Sequence, residues 1–247
     1  MKTSDTKIRS IISIVVFLIL IFAYYKYTVN PPEEDTGKDI PVVESEGWFD
    51  YSRVPEFDGE NPYVVINGNQ PYFSDISDMK TAFEEYGNLD NMGRCTTAVA
   101  NIGKELMPTE ERGAIGSVKP TGWQVSKYDF VDGKYLYNRC HLIGFQLTGE
   151  NANKKNLITG TRYLNVQGML PFENMVADYI KETNNHVLYR VTPVFVDFDL
   201  VARGVLMEAM SVEDDGEGIC FNVFCYNCQP GVEIDYATGD NQQTAKE

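Results

Sequence analysis

The chain has 247 residues, of which 43% are hydrophobic and 23% are charged, and its formal net charge is −15. This length suits one globular domain with an appendage, and the negative charge excludes a protein that attracts nucleic acid through its overall charge. The charge is uneven, however. Residues 94–165 carry ten Lys or Arg against six Asp or Glu, a net +4, and the remainder carries −19. A polyanion is therefore expected to bind within this net-basic block.

Residues 1–27 have the pattern of a targeting segment. Three basic side chains precede an apolar run from Ile11 to Tyr25 that only Ser13 interrupts. The run is shorter than the roughly 20 residues of a usual membrane span, yet no pair of small residues marks a cleavage site. We predict an uncleaved signal anchor in the cell membrane with the folded body outside the cell. The alternative is a cleaved signal peptide and a secreted protein.

The next segments predict a linker and the start of a folded body. Residues 28–47 are acidic and contain Pro, which predicts a solvated linker. The folded body is expected to span residues 48–235, and residues 236–247 to form a polar tail. Within the body, Asn67-Gly68 between two apolar runs, 63–66 and 70–73, predicts a β-hairpin. Residues 81–86 resemble a short helix, and residues 98–107 have a mixed pattern.

The central part of the chain predicts two short strands followed by a helix. Residues 135–140 are expected to form a strand that leads to His141, and Leu157 and Ile158 form a second strand. Gly160 and Thr161 then end this strand and cap a helical segment that reaches Met169. A second helical piece is expected from Pro171, since its missing N–H costs nothing in a first turn. Its apolar stripe comprises Phe172, Met175, Val176, Tyr179 and Ile180.

Three further strands are expected at residues 187–195, 200–211 and 219–226, joined as a meander by Asp- and Gly-containing turns. Together with the elements before them, they indicate an α+β fold with an antiparallel sheet as its core.

Five cysteines, an odd number, leave at least one thiol unpaired within the chain. Cys225 and Cys228 form a Cys-x-x-Cys pair, which is found in redox motifs and in zinc sites. A zinc site usually needs two more ligands, and no second pair has the required spacing. A redox pair sits at the start of a helix, whereas this segment predicts a strand. Buried strand thiols, with one disulfide as an option, are the simpler interpretation.

One residue pattern that begins in the net-basic block, residues 94–165, indicates a catalytic site. Asn138-Arg139-Cys140-His141 is followed by Asn156, Asn165 and Glu173. This spacing resembles the DNA/RNA non-specific endonucleases, in particular the exported nucleases of Gram-positive bacteria, over roughly residues 48–235. Their catalytic unit is the ββα-metal (His-Me) finger. The family signature reads Asp-Arg-Gly-His, so Asn138 and Cys140 depart from it, and a carboxylate role at position 138 is in doubt.

The resemblance implies a role for each matching residue. His141 would be the general base, since phosphodiester hydrolysis needs one to activate water. Asn165 would hold one Mg²⁺, or Mn²⁺ as its substitute, and Glu173 would orient the water bound to the ion. Asn156 would steady His141 or the phosphate. The only other histidine, His186, is interpreted as structural.

Several basic residues are candidates for binding the substrate. Arg139 and Arg162 would donate to phosphate oxygens, because a planar guanidinium matches phosphate geometry better than an ammonium does. Weaker candidates, which guide the nucleic-acid backbone or are solvated loop charges, are Arg112, Lys119, Lys127, Lys154 and Lys155.

The predicted function is a sequence-non-specific endonuclease that cleaves DNA and RNA with one Mg²⁺ and leaves 5′-phosphates. Two alternatives stay open. The first is an inactive nucleic-acid-binding surface protein, motivated by Asn138 and the acidic remainder of the chain. The second is an exported thiol oxidoreductase that uses Cys225 and Cys228.

Overall fold

The computed structural model describes residues 40–43, 47–74, 76 and 79–244. The predicted signal anchor and most of the predicted linker lie outside these residues. In the described ranges, no helix has both the length and the apolar character that a membrane crossing requires.

The core of the protein is a seven-stranded sheet. Its strands are β1 (Val42–Val43), β2 (Tyr63–Ile66), β3 (Phe83–Tyr86), β4 (Ala98–Ile102), β7 (Val187–Val194), β8 (Gly204–Ser211) and β9 (Cys220–Tyr226). The order across the sheet is β1-β2-β9-β8-β7-β4-β3, and every pair except β1 with β2 is antiparallel. The predicted meander is therefore confirmed as β7, β8 and β9, and it forms the centre of the sheet.

Two smaller ladders complete the fold. The first pairs β5 (Tyr137–His141) with β6 (Leu157–Thr161), and the second pairs β10 (Val232–Ile234) with β11 (Asn241–Gln243). The short helix α1 (Phe145–Thr148) follows β5. After β6, the chain passes through a π-helical segment (Leu164–Met169) into helix α2 (Leu170–Thr183). Two strands and a helix in this order are the predicted finger.

The finger packs on the central sheet through α2. Phe172, Val176 and Ile180 are buried in the main core, and the Phe172 ring lies 4.9 Å from the rings of both Tyr63 and Phe221. One detail of the prediction was wrong, because Met175 is exposed instead of belonging to the apolar stripe. The predicted division of the helix at Met169 is confirmed, and Pro171 lies in the first turn of α2. The Leu170 N–H still bonds to the carbonyl of Asn165, so the two helical segments follow each other directly.

The Asn67-Gly68 hairpin prediction was wrong. Residues Asn67–Asn69 form a 3₁₀ turn in which all three φ angles are positive, and residues 70–74 directly after it form no strand. Strand β2 pairs with the distant β9, and Asn222 of β9 holds the turn by donating from its backbone N–H and its side chain to Asn69 and Gln70. Strand β2 therefore pairs with β9, which is distant in the sequence, and not with residues 70–73 as the turn residues suggested.

The predicted helix at residues 81–86 was also wrong, because Phe83–Tyr86 pairs with β4 as an edge strand. At both ends of the folded body, β-structure extends into the expected linker and the expected tail. Val42 and Val43 of the linker pair with β2, and residues 241–243 of the tail pair with β10. The carbonyl of Tyr236 also accepts hydrogen bonds from two backbone N–H groups.

Candidate active site

A cleft of about 860 Å³ opens where β5, the π-helical segment and α2 meet. His141, Asn165 and Glu173, which the sequence placed in one site, all line it. It is also lined by Asn138, Arg139 and Arg162, together with residues that the sequence did not single out, such as Trp123, Val125 and Tyr135. The structure therefore assembles the predicted centre.

His141 is buried at the end of β5, and its ring is held from both sides. Nε2 lies 2.7 Å from the carbonyl oxygen of Asn151, and Nδ1 lies 3.2 Å from a guanidinium nitrogen of Arg112. Because a carbonyl only accepts, Nε2 carries the proton in the neutral ring and Nδ1 keeps its lone pair. Burial lowers the pKa of His141 below 6.5, and the charge of Arg112 acts in the same direction. The ring is therefore kept neutral, as a base requires.

The loop after His141 is fixed by Asn156. This side chain is fully buried, accepts from the N–H of Ile143 at 2.8 Å and donates to the carbonyl of Ile143 at 2.9 Å. Its backbone carbonyl also accepts from Leu142. Asn156 thus holds the backbone that follows His141, and its predicted role of steadying His141 stays a prediction. Its fully buried amide does not reach a phosphate, the other predicted partner.

Asn165 lies in the π-helical segment, one turn after β6. Thr161 starts this helical segment, because its hydroxyl accepts from the N–H of Leu164 at 2.9 Å. The Oδ1 of Asn165 accepts a hydrogen bond from the Cys140 thiol at 3.1 Å. Cys140 is fully buried behind it, and Gly160 makes room for the thiol: a Cβ at position 160 would lie 2.6 Å from Cys140 Sγ.

Glu173 reaches the cleft from the first turn of α2. Its carboxylate lies where Gly144 has no side chain, since a Cβ on Gly144 would be 2.7 Å from Oε2. Burial raises the pKa of Glu173 to about 7, and neither a hydrogen bond from Gln146 nor the charge of Arg112 offsets this effect. A cation in the cleft would stabilise this carboxylate in its charged form.

The residues present fit Mg²⁺. A neutral amide oxygen from Asn165 and a carboxylate from Glu173 line the same cleft, and both are the oxygen ligands that Mg²⁺ prefers. Among the described residues, no three His, Cys, Asp or Glu side chains form a cluster that could enclose a metal ion. With one amide oxygen and one carboxylate as its protein ligands, a cation here would keep most of its water, which Mg²⁺ does readily.

The three arginines of the cleft differ in how many of their guanidinium donors are already occupied by protein groups. Arg139 donates to the carbonyls of Gly116 and Val118, and its guanidinium stacks on Trp123 with 4.1 Å to the ring centroid. These contacts hold the 116–118 loop against the cleft and occupy part of the donor set that was predicted to bind phosphate. Arg162 pairs with the exposed Asp132 at 2.7 Å. Arg112, by contrast, is exposed and touches the catalytic candidate directly.

The lysines lie away from this centre. Lys119 and Lys154 line a separate small depression, and Lys155 donates to the side chain of Asn88 at 2.9 Å. Lys127 is nearer, since its ammonium lies 4.5 Å from the ring centroid of Tyr135, a cleft residue. Their guiding role stays a prediction for the surface around the cleft.

The cysteines do not form a redox centre. All five are free thiols, Cys225 is fully buried on β9, and no disulfide is formed. Burial raises the pKa of Cys228 to about 12 and also raises the pKa of Cys225. Reactive thiols need exposure and a lowered pKa. The thiol oxidoreductase alternative is therefore not supported by the geometry of this pair.

A family model for DNA/RNA non-specific endonucleases matches residues 75–213, more than half of the chain, and the chain belongs to this family. The resemblance based on residues 138–173 is confirmed. Among characterised proteins, a deoxyribonuclease of Streptococcus dysgalactiae subsp. equisimilis is 34% identical over 110 residues. That match covers 42% of this chain and 32% of the relative, so the chain spans about a third of that protein's length.

Solved structures confirm the α+β fold class and the ββα-metal finger. NucA from Streptococcus agalactiae with a magnesium ion bound superposes with a TM-score of 0.66 at 28% identity, covering 74% of this chain and 88% of NucA. The Sda1 nuclease with a bound zinc ion gives a TM-score of 0.61 at 26% identity, covering 74% of this chain and 97% of Sda1.

Proposed function

We propose that this chain is a metal-dependent, sequence-non-specific endonuclease that hydrolyses phosphodiester bonds of DNA and RNA and leaves 5′-phosphates. The observation that carries the proposal is the state of His141. Its Nε2 is fixed on the Asn151 carbonyl, and its Nδ1 is left as a base beside Arg112 in the cleft. Membership of the nuclease family and the likeness to NucA support the same function.

The residues divide the work as follows. Neutral His141 takes a proton from the attacking water through Nδ1. Arg112, whose guanidinium already reaches Nδ1, moves onto a phosphate oxygen when the substrate enters and so frees the lone pair. Asn165 would hold a Mg²⁺ ion, or Mn²⁺ in its place, and Glu173 would order the water around it. The ion, when bound, supplies positive charge that stabilises the phosphorane and the leaving oxygen.

Plasmid digestion tests the proposal. The full chain should nick supercoiled plasmid with Mg²⁺ and stop when EDTA is added. His141→Ala should lose about 10²- to 10⁴-fold in rate, the usual contribution of a general base, while it still binds DNA. The matched control is His186→Gln, which changes the other histidine, outside the cleft. Near-normal cleavage by His141→Ala would remove His141 from the mechanism. Ligation of the fragments without prior phosphorylation tests for 5′-phosphates.

The pH profile adds a second test. His141 must be neutral to accept a proton, and its pKa is lowered by burial. The rate should therefore rise with pH at values below 6.5 and be level above. In His141→Gly, added imidazole should restore part of the rate in proportion to its neutral fraction, which grows through pH 6.5 to 7. Rescue that follows the protonated form would make His141 an acid.

The inactive nucleic-acid-binding protein is the remaining alternative. It was motivated by Asn138, which lines the cleft where the family signature has Asp. The base, the amide oxygen and the carboxylate are nevertheless assembled in one cleft, which favours an active enzyme. Tight DNA binding without any cleavage in Mg²⁺ or Mn²⁺ would favour the alternative.

A further inference from the structure

An exposed apolar surface forms one side of the cleft. We call Trp123, Val125 and Tyr135 the apolar wall. All three line the same cleft as His141 and Asn165. Val125 is 72% exposed and Tyr135 is 49% exposed, whereas most large apolar side chains of the domain are packed away. Exposed apolar groups that converge on a cleft commonly mark a ligand surface.

Hydrogen bonds hold the part of the wall around Tyr135 in place. The segments on either side of residues 129–133 pair with each other, because Leu136 donates to Ser126 at 3.0 Å and Tyr128 donates to Lys134 at 2.9 Å. Lys127 and Tyr135 also face each other as a bridge. From below, the Asn241 side chain bonds to both Ser126 and Tyr128. The backbone that carries Tyr135 is therefore held in place by hydrogen bonds before any ligand binds.

The charges around the wall suit a polyanion. The exposed Lys127 ammonium lies 4.5 Å from the Tyr135 ring centroid, and Arg112 and Arg162 line the same cleft. A flat aromatic ring beside a cation matches one nucleotide unit, in which a base is followed by a phosphate. In a duplex the base faces are covered by their neighbours, so only an unpaired base can lie on this ring.

We propose that the apolar wall binds unpaired bases of a single strand, with Tyr135 as the stacking residue, and that the cleft thereby prefers single-stranded over duplex nucleic acid. This inference rests on the proposed function and deepens it. Base stacking on an aromatic side chain is worth about 5- to 150-fold in affinity per base. Lys127 already lies over the Tyr135 ring and covers part of it. We therefore expect a gain in affinity at the lower end of this range, about 5- to 10-fold.

Binding in EDTA tests the inference apart from catalysis. Fluorescence anisotropy of the full chain is measured with three probes of equal length: oligothymidylate, an oligomer of abasic residues and a duplex. Oligothymidylate should bind at least about 5-fold more tightly than the abasic oligomer, although both carry the same phosphates, and more tightly than the duplex; tighter binding of the duplex would contradict the preference for single strands. Tyr135→Ala should remove this difference, Tyr135→Phe should retain it, and the dependence on salt should not change.

The matched control is Phe130→Ala. Phe130 lies in the same loop and is also 49% exposed, but it does not line the cleft, so its loss should leave the preference intact. Equal binding of the base-bearing and abasic oligomers, absence of binding to both, or an equal effect of Phe130→Ala would overturn the inference. If the proposed function were wrong, the chain would show no EDTA-sensitive cleavage of plasmid. Base-dependent binding could still be observed in that case, so the two failures are distinguishable.

Discussion

Cys140 stands where the family signature has Gly, and its thiol donates to the Asn165 oxygen that would hold the metal ion. An amide side chain can turn over and present its NH₂ group instead of its oxygen, and a cation accepts only the oxygen. The Cys140 thiol donates only to an oxygen, so its hydrogen bond favours the amide orientation in which Oδ1 is held at the metal position. We therefore predict that Cys140→Ala weakens metal binding and that Cys140→Ser, which keeps a donor of similar size, does not.

The expected magnitude follows from the contact. A buried neutral hydrogen bond contributes about 0.5 to 1.5 kcal/mol, which is about 2- to 12-fold in an equilibrium constant. Removal of a residue that hydrogen-bonds to a metal ligand typically lowers metal affinity or activity by about 10- to 100-fold. A thiol is a weak donor, so we expect about 2- to 10-fold for the 3.1 Å contact.

Direct titration with Mn²⁺, followed by electron paramagnetic resonance, measures this affinity without reference to turnover. At saturating metal, Cys140→Ala should cleave almost as fast as the unaltered chain, because the ligand itself is still present. A general loss of packing would weaken both variants and lower both melting temperatures alike. Identical Mn²⁺ affinity in Cys140→Ala, Cys140→Ser and the unaltered chain would refute the reasoning.

Three further predictions concern stability and binding. Arg190→Ala should destabilise the fold by about 3 to 5 kcal/mol in denaturant titration, because the fully buried Glu208 carboxylate loses its cation and, among the described residues, keeps only the Tyr72 N–H as a donor; Arg190→Lys should cost less. Although burial acts to lower the pKa of His186, its bonds with Glu213 and Glu105 raise it. Its contribution to stability is therefore full below pH 6.5 and lost as pH rises through the folded pKa, so unfolding free energies should fall less from pH 6 to 9 in His186→Gln. Finally, the logarithm of DNA affinity should fall linearly with the logarithm of salt concentration, and a flat response would argue against phosphate binding.

The parts of the site that sequence could predict are those set by short spacings. His141 ends a strand, and Asn165 and Glu173 follow on two consecutive helical segments, so the spacing shared with the endonuclease family was sufficient to place them in one cleft. The orientation of the His141 ring was not predictable, because its partner is the backbone carbonyl of Asn151 and any residue type supplies a carbonyl. Likewise, nothing in the identity of Arg139 shows that loop carbonyls occupy its donors.

The failures in the fold have a related cause. Asn67-Gly68 has the residue types of a hairpin turn, and the positive φ angles are indeed adopted, but β2 pairs with a strand more than 150 residues away in sequence. The predicted helix at residues 81–86 became an edge strand because β4 offers unpaired backbone groups there. In both places, pairing with a strand that is distant in the sequence determined the secondary structure, because the local residue types favoured neither alternative strongly.

The π-helical segment explains the spacing of the two cleft residues on the helix. In a regular α-helix, eight residues turn through roughly 800°, so Asn165 and Glu173 would point roughly 80° apart. The wider turn at Leu164–Met169 absorbs about one residue, which brings the two positions back to within roughly 20° of one face. A deletion of one residue between 166 and 169 would remove the need for the π turn, because seven residues of regular α-helix turn through roughly 700° and keep Asn165 and Glu173 within roughly 20° of one face. The eight-residue interval is thus itself a sequence record of the π turn, and the same interval in a related chain should indicate the same distortion.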